Sequence, residues 1–308
     1  MYSSRMVMGS KRIPDRAGNL RWGVERRLEF VDFRLYWEGY VNRGDLSDVF
    51  GVSAQQASTD LNRYMDLAPD NMRYDKSAKR YVRAEQFKPV FMVPDSVRYL
   101  AQLHLVSSGV LEPVETWLPE IPYFDSVPFP RRNINPEHLR SVLESIKTES
   151  ALEIRYQSLS RPEPMWRWIS PTALGFDGFR WHVRAWCHID NVYKDFLLPR
   201  ILDTRDVKAD EDSRPVDAEW EDIVSIKVAP NPSFSDGQKA VIELDYGMEN
   251  GVLEINVRRA LLYYVLKRLG LDRDPEAVPA REQHIVLMDR ENILGRRPIA
   301  STREGSET

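Results

Sequence analysis

Ala151–Leu202 reads ALEIRYQSLSRPEPMWRWISPTALGFDGFRWHVRAWCHIDNVYKDFLLPRIL. The stretch alternates with period two, as strands do when successive side chains point to opposite faces of a pleat. Leu152, Ile154, Tyr156 and Ser158 fall on one side, and Glu153, Arg155 and Gln157 on the other. Farther on, Phe179, Trp181, Val183, Ala185 and Cys187 share a face, and Arg180, His182, Arg184, Trp186 and His188 share the opposite one. Asp177-Gly178, between Leu174-Gly175-Phe176 and Phe179-Arg180-Trp181, predicts a tight hairpin, because Gly accepts positive φ at little cost. Asp190-Asn191 marks a second reversal before Tyr193–Leu198. Four strands in about fifty residues predict a small, strongly bent sheet or barrel.

Several side chains of this stretch suit an anionic, planar ligand. Tyr156 and Ser158 share a face, as do His182 and Arg184; Arg167 sits on the second strand, and Arg200 shares a face with Phe196 on the last. Were these faces to converge, they would gather cations, hydroxyls and an imidazole. Arg forks bind phosphate bidentately, and aromatic planes stack on bases. Tyr156 can equally point into the barrel, and any one of these residues alone reads as an ordinary strand residue.

The first ninety residues read differently. Asn19 caps a predicted helix from about Leu20 to Trp37, with Val24, Leu28, Val31 and Leu35 at helical spacing and Gly39 as its stop. Asp45–Phe50 makes a short helix ending at Gly51, and Ser53 caps the next, from Ala54 to about Leu67. That helix turns Ala57, Leu61, Tyr64 and Met65 inward and offers Gln55, Gln56, Ser58, Thr59, Asn62 and Arg63 outward. Short helix, Gly turn, capped polar helix is the helix-turn-helix plan. Gln and Asn can pair bidentately with adenine and Arg with guanine, while Ser and Thr suit phosphate oxygens. Polar residues outside a surface helix are ordinary on their own; the segment beyond Leu67 adds the weight. Met72–Asp75 and Arg80–Arg83 alternate around Lys76-Ser77-Ala78-Lys79, a basic-tipped hairpin placed as the wing of a winged helix. Lys76, Lys79 and Arg80 would lie along phosphates, with Ser53 at the helix start, and double-stranded DNA is the expected partner.

Residues 88–136 hold eight of the chain's 20 prolines. One helix fits between Pro94 and Gly109, with Asp95 near its start and Val97, Leu100, Ala101 and Leu105 inward. Leu111–Arg132 has no period, and its Trp117, Tyr123, Phe124 and Phe129 are expected to pack on a neighbouring domain or a second subunit. Asn135-Pro136 opens a helix striped with Leu139, Val142, Leu143 and Ile146 that leads into Leu152. Beyond the break Asp210–Pro215, strands at Ile223–Val228, Gly251–Val257 and His284–Met288 and helices at Ser233–Tyr246 and Arg258–Leu269 predict an α+β sandwich.

Composition narrows the function. The 308 residues carry 43 Lys+Arg against 47 Asp+Glu, a formal charge of −4, but residues 1–90 hold 16 basic against 12 acidic side chains. A basic front on an acidic body permits polyanion binding at one end only. No apolar run approaches the roughly 18 residues that span a bilayer, so no membrane association is expected. The opening Met1–Arg16 lacks the apolar segment of a signal peptide. The single Cys187 fits a reducing cytoplasm. Cys187-His188 is no catalytic dyad, since adjacent strand residues face apart, and the five histidines show no pair at metal-ligand spacing. With no phosphate-cradling Gly loop and no nucleophile elbow, neither an enzyme nor a cofactor or metal site is expected.

Tyr156-x-Ser158, then Arg167–Pro171, then Phe179–Ala185, then Phe196–Ile201, in that order, resemble a WYL domain, the Sm-like barrel of bacterial transcription regulators. The eponymous triplet reads Trp181-His182-Val183 here, matching in one letter. The resemblance implies a ligand cluster of Tyr156, Ser158, Arg167, His182 and Arg200, with Arg184 and Phe196 beside it, sensing a nucleotide or single-stranded nucleic acid. Gly51-Val52-Ser53 before a polar helix resembles bacterial winged-helix repressors, and the last third resembles the extension domain that accompanies WYL domains. The expected fold is thus α+β and multidomain: a winged helix-turn-helix over residues 1–90, a Pro-rich helical linker over 91–136, a WYL Sm-like β-barrel over 137–209, and a C-terminal α/β sandwich extension over 216–300. The order resembles the BrxR and CapW type of phage-defence regulators. It implies a cytoplasmic, nucleoid-associated bacterial homodimer that represses from an inverted-repeat operator. An activator of the same build, or a sequence-blind nucleic-acid-binding accessory protein, are the alternatives.

Overall fold

An amphipathic first helix organises the N-terminal part. The computed structural model describes residues 22–118, 120–128, 130–210 and 214–295. The expected cap Asn19, the aromatic Phe129 and the closing residues 296–300 lie outside them. Helix α1 (Trp22–Trp37) buries Leu28, Val31 and Leu35, and ends where Gly39 turns left-handed and donates to the Arg34 carbonyl. Strand β1 (Tyr40–Val41) follows. Helix α2 (Arg43–Phe50) begins two residues earlier than its spacing predicts. Asn42 and Asp45 exchange reciprocal side-chain–backbone bonds there, a capping box. At Gly51 φ is +64°, which lets its N–H reach the Ser47 carbonyl and frees the chain to turn into α3 (Ala54–Leu67). Ser53 caps α3 by accepting from the Gln56 N–H, a contact of about 1 kcal/mol.

Strands β2 (Met72–Asp75) and β3 (Arg80–Arg83) pair antiparallel, and β1 adds to β3, giving the order β1-β3-β2. Ala57, Leu61 and Tyr64 of α3 and Leu46 of α2 close on α1 as one core. Leu46 and Leu61 each contribute roughly 1.5–3 kcal/mol by leaving water. Helix α4 (Ser96–Ser107) starts at its Asp95 cap. Its buried side is not the expected one. Leu103 packs inward and Tyr99 stacks on Phe33, whereas Val97, Leu100 and Ala101 stand exposed. Aromatic rings of α1 select the tyrosine face, a preference that apolar spacing alone does not encode. Trp117 packs edge-on against Phe30 and Phe33, Phe124 joins the same cluster, and Tyr123 is fully exposed. This N-terminal unit spans residues 1–130, and residues 131–308 form a second.

The second unit opens with α5 (Pro136–Thr148), capped by Asn135. Strands β4 (Ser150–Tyr156), β5 (Met165–Phe176), β6 (Trp181–Cys187), β7 (Val192–Leu197) and β8 (Ile201–Ala209) make one sheet in the order β7-β6-β5-β4-β8. The sheet thus has a fifth strand beyond the four read from Ala151–Leu202. Among the described residues β7 and β8 do not pair, so the ladder is open where a barrel would close. A one-turn 3-10 helix, Leu198–Arg200, joins those two edges. Leu152, Ile154, Ile169, Val183, Ala185 and Cys187 form the core beneath Val142 of α5. Both predicted reversals occur, at Gly178 (φ +90°) and Asn191 (φ +51°).

The unit continues with α6 (Ala218–Glu221), β9 (Ile223–Pro230), α7 (Asp236–Tyr246), β10 (Leu253–Arg258), α8 (Arg259–Arg268), β11 (Ile285–Leu287) and α9 (Arg290–Leu294). The sheet order is β10-β9-β11, all antiparallel. In β9 Val224, Ile226 and Val228 are buried while Ile223, Ser225 and Lys227 are exposed. One face of this sheet therefore carries the helices, with Ile242 of α7 and Leu262 and Leu266 of α8 in the same core.

Candidate nucleic-acid interface

Helix α3 presents Gln55, Thr59, Asn62 and Arg63 to solvent, with Ser58 half-buried at the flank. The Ser58 hydroxyl donates back to the Ala54 carbonyl (2.9 Å) and Thr59 to Gln55 (3.0 Å), so both present oxygen lone pairs outward. Asp66 is exposed one turn beyond Asn62 and places a negative charge towards the end of that face. Gln56 is held differently. Its Nε2 donates to Asp60 Oδ1 (3.1 Å), and Asp60, almost wholly buried, takes Arg27 Nε at 2.6 Å.

Beneath the helix, Tyr64 is fully buried and its hydroxyl donates to Asp32 of α1. Asp32 also accepts the N–H groups of Val90 (2.6 Å), Phe91 and Met92 (3.2 Å). Asn71 donates to the Tyr64 hydroxyl (2.9 Å) and exchanges two further bonds with the Lys88 backbone. Burial pushes the Asp32 carboxyl above its ordinary range against these four donors, and raises the Tyr64 phenol as well. The network fixes α3 to α1 and to the segment leaving the wing.

At the wing tip, Asp75 Oδ1 accepts from the Ser77 hydroxyl and from the Ser77 and Ala78 N–H groups, which hold its carboxyl below the usual range. The turn so formed exposes Lys76 and Lys79. Arg80 does not project with them. Its guanidinium lies 4.0 Å from the Tyr40 ring centroid, stacked inward where a cation and an aromatic face attract. Arg73, on β2, is exposed and was not among the expected cations.

The seven residues expected to bind a ligand fall in three places. Tyr156, Arg167 and Phe196 meet inside the first sheet of the second unit: the Arg167 guanidinium is 5.8 Å from both rings, and the rings are 5.1 Å apart. Arg167 is buried, with Asp190 at 3.9 Å, and its Nε has no partner among the described residues. Ser158 and Arg200 sit at the ends of strands. Ser158 bonds Ser160 (2.7 Å), and Arg200 lies in the 3-10 helix rather than beside Phe196 on a strand. Pro199 stops the ladder there, since it has no N–H to donate.

His182 and Arg184 face the opposite way, against the C-terminal helices. Arg184 is 2% exposed and forks onto Asp217 (2.6 and 2.9 Å), with Asp195 at 3.3 Å and Glu219 at 2.9 Å. Burial alone would lower its pKa, but these carboxylates raise it instead. His182 Nε2 bonds Asp177 Oδ2 (2.9 Å), and its ring packs on Tyr264, whose hydroxyl donates to Asp195 (2.9 Å). Burial opposes the charge on Asp177, yet bonds from His182, the Arg180 and Phe179 N–H groups and the Arg180 side chain outweigh it and bring its carboxyl to about 2. Arg268 of α8 covers the hairpin so closely that a Cβ at Gly178 would collide with its guanidinium.

Residues 23–105 match the BrxR transcriptional regulator winged helix-turn-helix domain, 137–206 the WYL domain, and 223–293 the BrxR transcriptional regulator C-terminal dimerization domain. A DNA-binding transcriptional repressor CapW of Stenotrophomonas maltophilia is 37% identical over 90% of this chain and 93% of its own length. The CapW repressor of Pseudomonas aeruginosa is 39% identical over 89% of this chain and 91% of its length. The CapW repressor of Escherichia coli is 36% identical over 89% and 91%. The chain belongs to the BrxR and CapW family of transcriptional regulators.

In this member of the family, Asp60 and Arg27 are the residues that sequence reading passed over. The available signal was a carboxylate between Ala57 and Leu61 on an apolar helix face, which requires a buried cation. Asp217 and Tyr264, which receive Arg184 and His182, were legible only as residues of another domain. On the C-terminal domain, Val241 and Leu244 stand exposed one turn apart on α7. No described helix is long and apolar enough to cross a membrane.

Proposed function

We propose that this chain is a sequence-specific DNA-binding transcriptional regulator, acting as a homodimeric repressor of a phage-defence gene cluster. The polar first turns of α3, flanked by the cation-tipped wing, carry the reading. It is supported by the family membership and by relatives named as DNA-binding repressors over nine-tenths of the chain. Gln55, Gln56, Asn62 and Arg63 would read base edges. Ser53, Ser58, Thr59, Lys76 and Lys79 would hold phosphates, with Arg80 steadying the wing through Tyr40. The C-terminal domain would pair two chains, and two-fold symmetry then calls for an inverted repeat with half-sites about 10 bp, or a multiple, apart.

The five-stranded ladder is read as an Sm-like barrel: the 3-10 helix joins its two edges, and the Tyr156 hydroxyl of β4 accepts from the Leu197 N–H of the edge strand β7 at 3.2 Å. The C-terminal domain is read as a two-layer α/β sandwich. The effector would be a nucleotide or single-stranded nucleic acid whose phosphate engages Arg167 between the Tyr156 and Phe196 rings, with Ser158 and Arg200 at the mouth. A ligand there must favour one conformation of the dimer, or it shifts nothing. The Arg184 and His182 joint would pass that preference to the C-terminal domain.

The test is fluorescence anisotropy on DNA from upstream of the chain's own gene, against scrambled DNA, across a salt series. A preference of about 4 kcal/mol or more with a steep salt slope is expected. Equal binding to both would instead make it a sequence-blind nucleic-acid-binding accessory protein.

A further inference from the structure

We infer that Gln56 reads adenine in the operator, and that the buried Asp60–Arg27 pair sets its amide for that base. The inference rests on the DNA-binding reading above and adds a specificity that family membership does not supply.

A glutamine amide has one acceptor oxygen and two N–H donors, and which end faces where is decided by its neighbours. Here the neighbour is Asp60, a carboxylate that offers only acceptors. Its Oδ2 is occupied by Arg27 Nε at 2.6 Å, and Oδ1 receives Gln56 Nε2 at 3.1 Å with Arg27 Nη2 at 3.4 Å. Turning the amide over would set the Gln56 oxygen against Asp60 Oδ1, lone pair on lone pair. Asp60 is itself 1% exposed and cannot swing away from Arg27 without burying an uncompensated charge. The orientation of Gln56 is therefore fixed from behind.

What remains on the solvent side is one N–H and one carbonyl, side by side, at the third residue of a helix whose start Ser53 caps. In the major groove adenine presents an acceptor (N7) beside a donor (N6), which that pair complements, whereas guanine presents two acceptors, N7 and O6. An unconstrained glutamine could turn both N–H groups to guanine. With one of them committed to Asp60, the carbonyl would face O6 and guanine is refused. Asp60 and Arg27 touch no base; they are positioning residues.

The experiment selects bound sequences from a randomised half-site library with the full-length wild type and variants. The wild type should favour adenine over guanine by about tenfold or more at one base pair of each half-site, the discrimination of a good bidentate contact. Gln56→Ala should erase preference at that pair alone and keep non-specific affinity. In Asp60→Asn, Arg27 holds the remaining carbonyl oxygen, so the new amide N–H turns to Gln56. The Gln56 amide then inverts and frees both donors, and the adenine-to-guanine ratio at that pair should fall towards one while other positions keep theirs. Should that variant fail to fold, the double variant Arg27→Met with Asp60→Leu removes the buried charge together with its partner, frees the Gln56 amide and should lower the same ratio. Unchanged preferences in Gln56→Ala would overturn the assignment while leaving DNA binding standing. An unchanged ratio in the folded Asp60→Asn variant would overturn the locking role. A wild type without any base preference would instead refute the regulator reading itself.

Discussion

Replacing Tyr64 by Phe removes one oxygen from the centre of the N-terminal unit and leaves the ring in place. The hydroxyl donates to Asp32 and accepts from Asn71 Nδ2 at 2.9 Å. A hydrogen bond to a charged group contributes about 1.5–3 kcal/mol and a neutral one about 1 kcal/mol. Asn71 keeps its bonds to Lys88, so only part of the second contribution is lost. Tyr64→Phe should therefore cost about 2–4 kcal/mol, more than the typical single substitution. For a unit of roughly this size each kcal/mol moves the midpoint by about 4 °C, so the N-terminal transition should fall by about 8–16 °C. Calorimetry of the full chain reads the shift, with hydrogen exchange of residues 54–67 and 165–176 assigning the two transitions. The amides of Val90 to Met92 should lose protection in parallel, because Asp32 is their shared acceptor. A cost below about 0.5 kcal/mol would refute the reasoning and leave ring packing alone as what seats α3.

Lys76→Ala with Lys79→Ala should weaken binding to operator and scrambled DNA alike and reduce the salt slope by about 1–2, read by anisotropy; a loss confined to operator would refute phosphate contact. Arg184→Met should destabilise the C-terminal unit by about 3–5 kcal/mol in urea, since it strands buried carboxylates, and a cost under about 1 kcal/mol would show that solvent reaches the joint. The Asp177 carboxyl lies near 3.8 when unfolded and about 2 when folded. Its contribution is thus whole above about pH 4 and fades as pH falls towards 2, where the unfolded chain binds the extra proton. Asp177→Asn should flatten the melting temperature of that unit over this window, and an unchanged slope would contradict the His182 and Arg180 contacts as its cause.

Much was legible in the chain because local rules dictate it. Gly51, Ser53 and the Ala57–Leu61–Tyr64 stripe place α3 by cap and period alone, since both act within a few residues. Asp177-Gly178 and Asp190-Asn191 likewise set the strand reversals. The cationic tip Lys76–Lys79 followed from charge between alternating strands. Helix α4 was found but its faces exchanged, because Tyr99 chose its side through rings on α1 that are remote in sequence.

The candidate sites divide along the same line. Composition, caps and periodicity by themselves determined the helix-turn-helix, its outward polar face and the alternating strands. Only tertiary structure decided which polar residue meets which. Period two tells that His182 and Arg184 share a face, but not that Asp177, Asp217 and Tyr264 cover it. It separates Arg167 from its strand neighbours, but not from the Tyr156 and Phe196 rings that flank it. Helical period puts Asp60 on the inner face of α3, and the folded chain alone brings Arg27 to it across 33 residues. The physical reason is that backbone geometry repeats over two to four residues, whereas the partner of a buried charge is whatever long-range packing delivers.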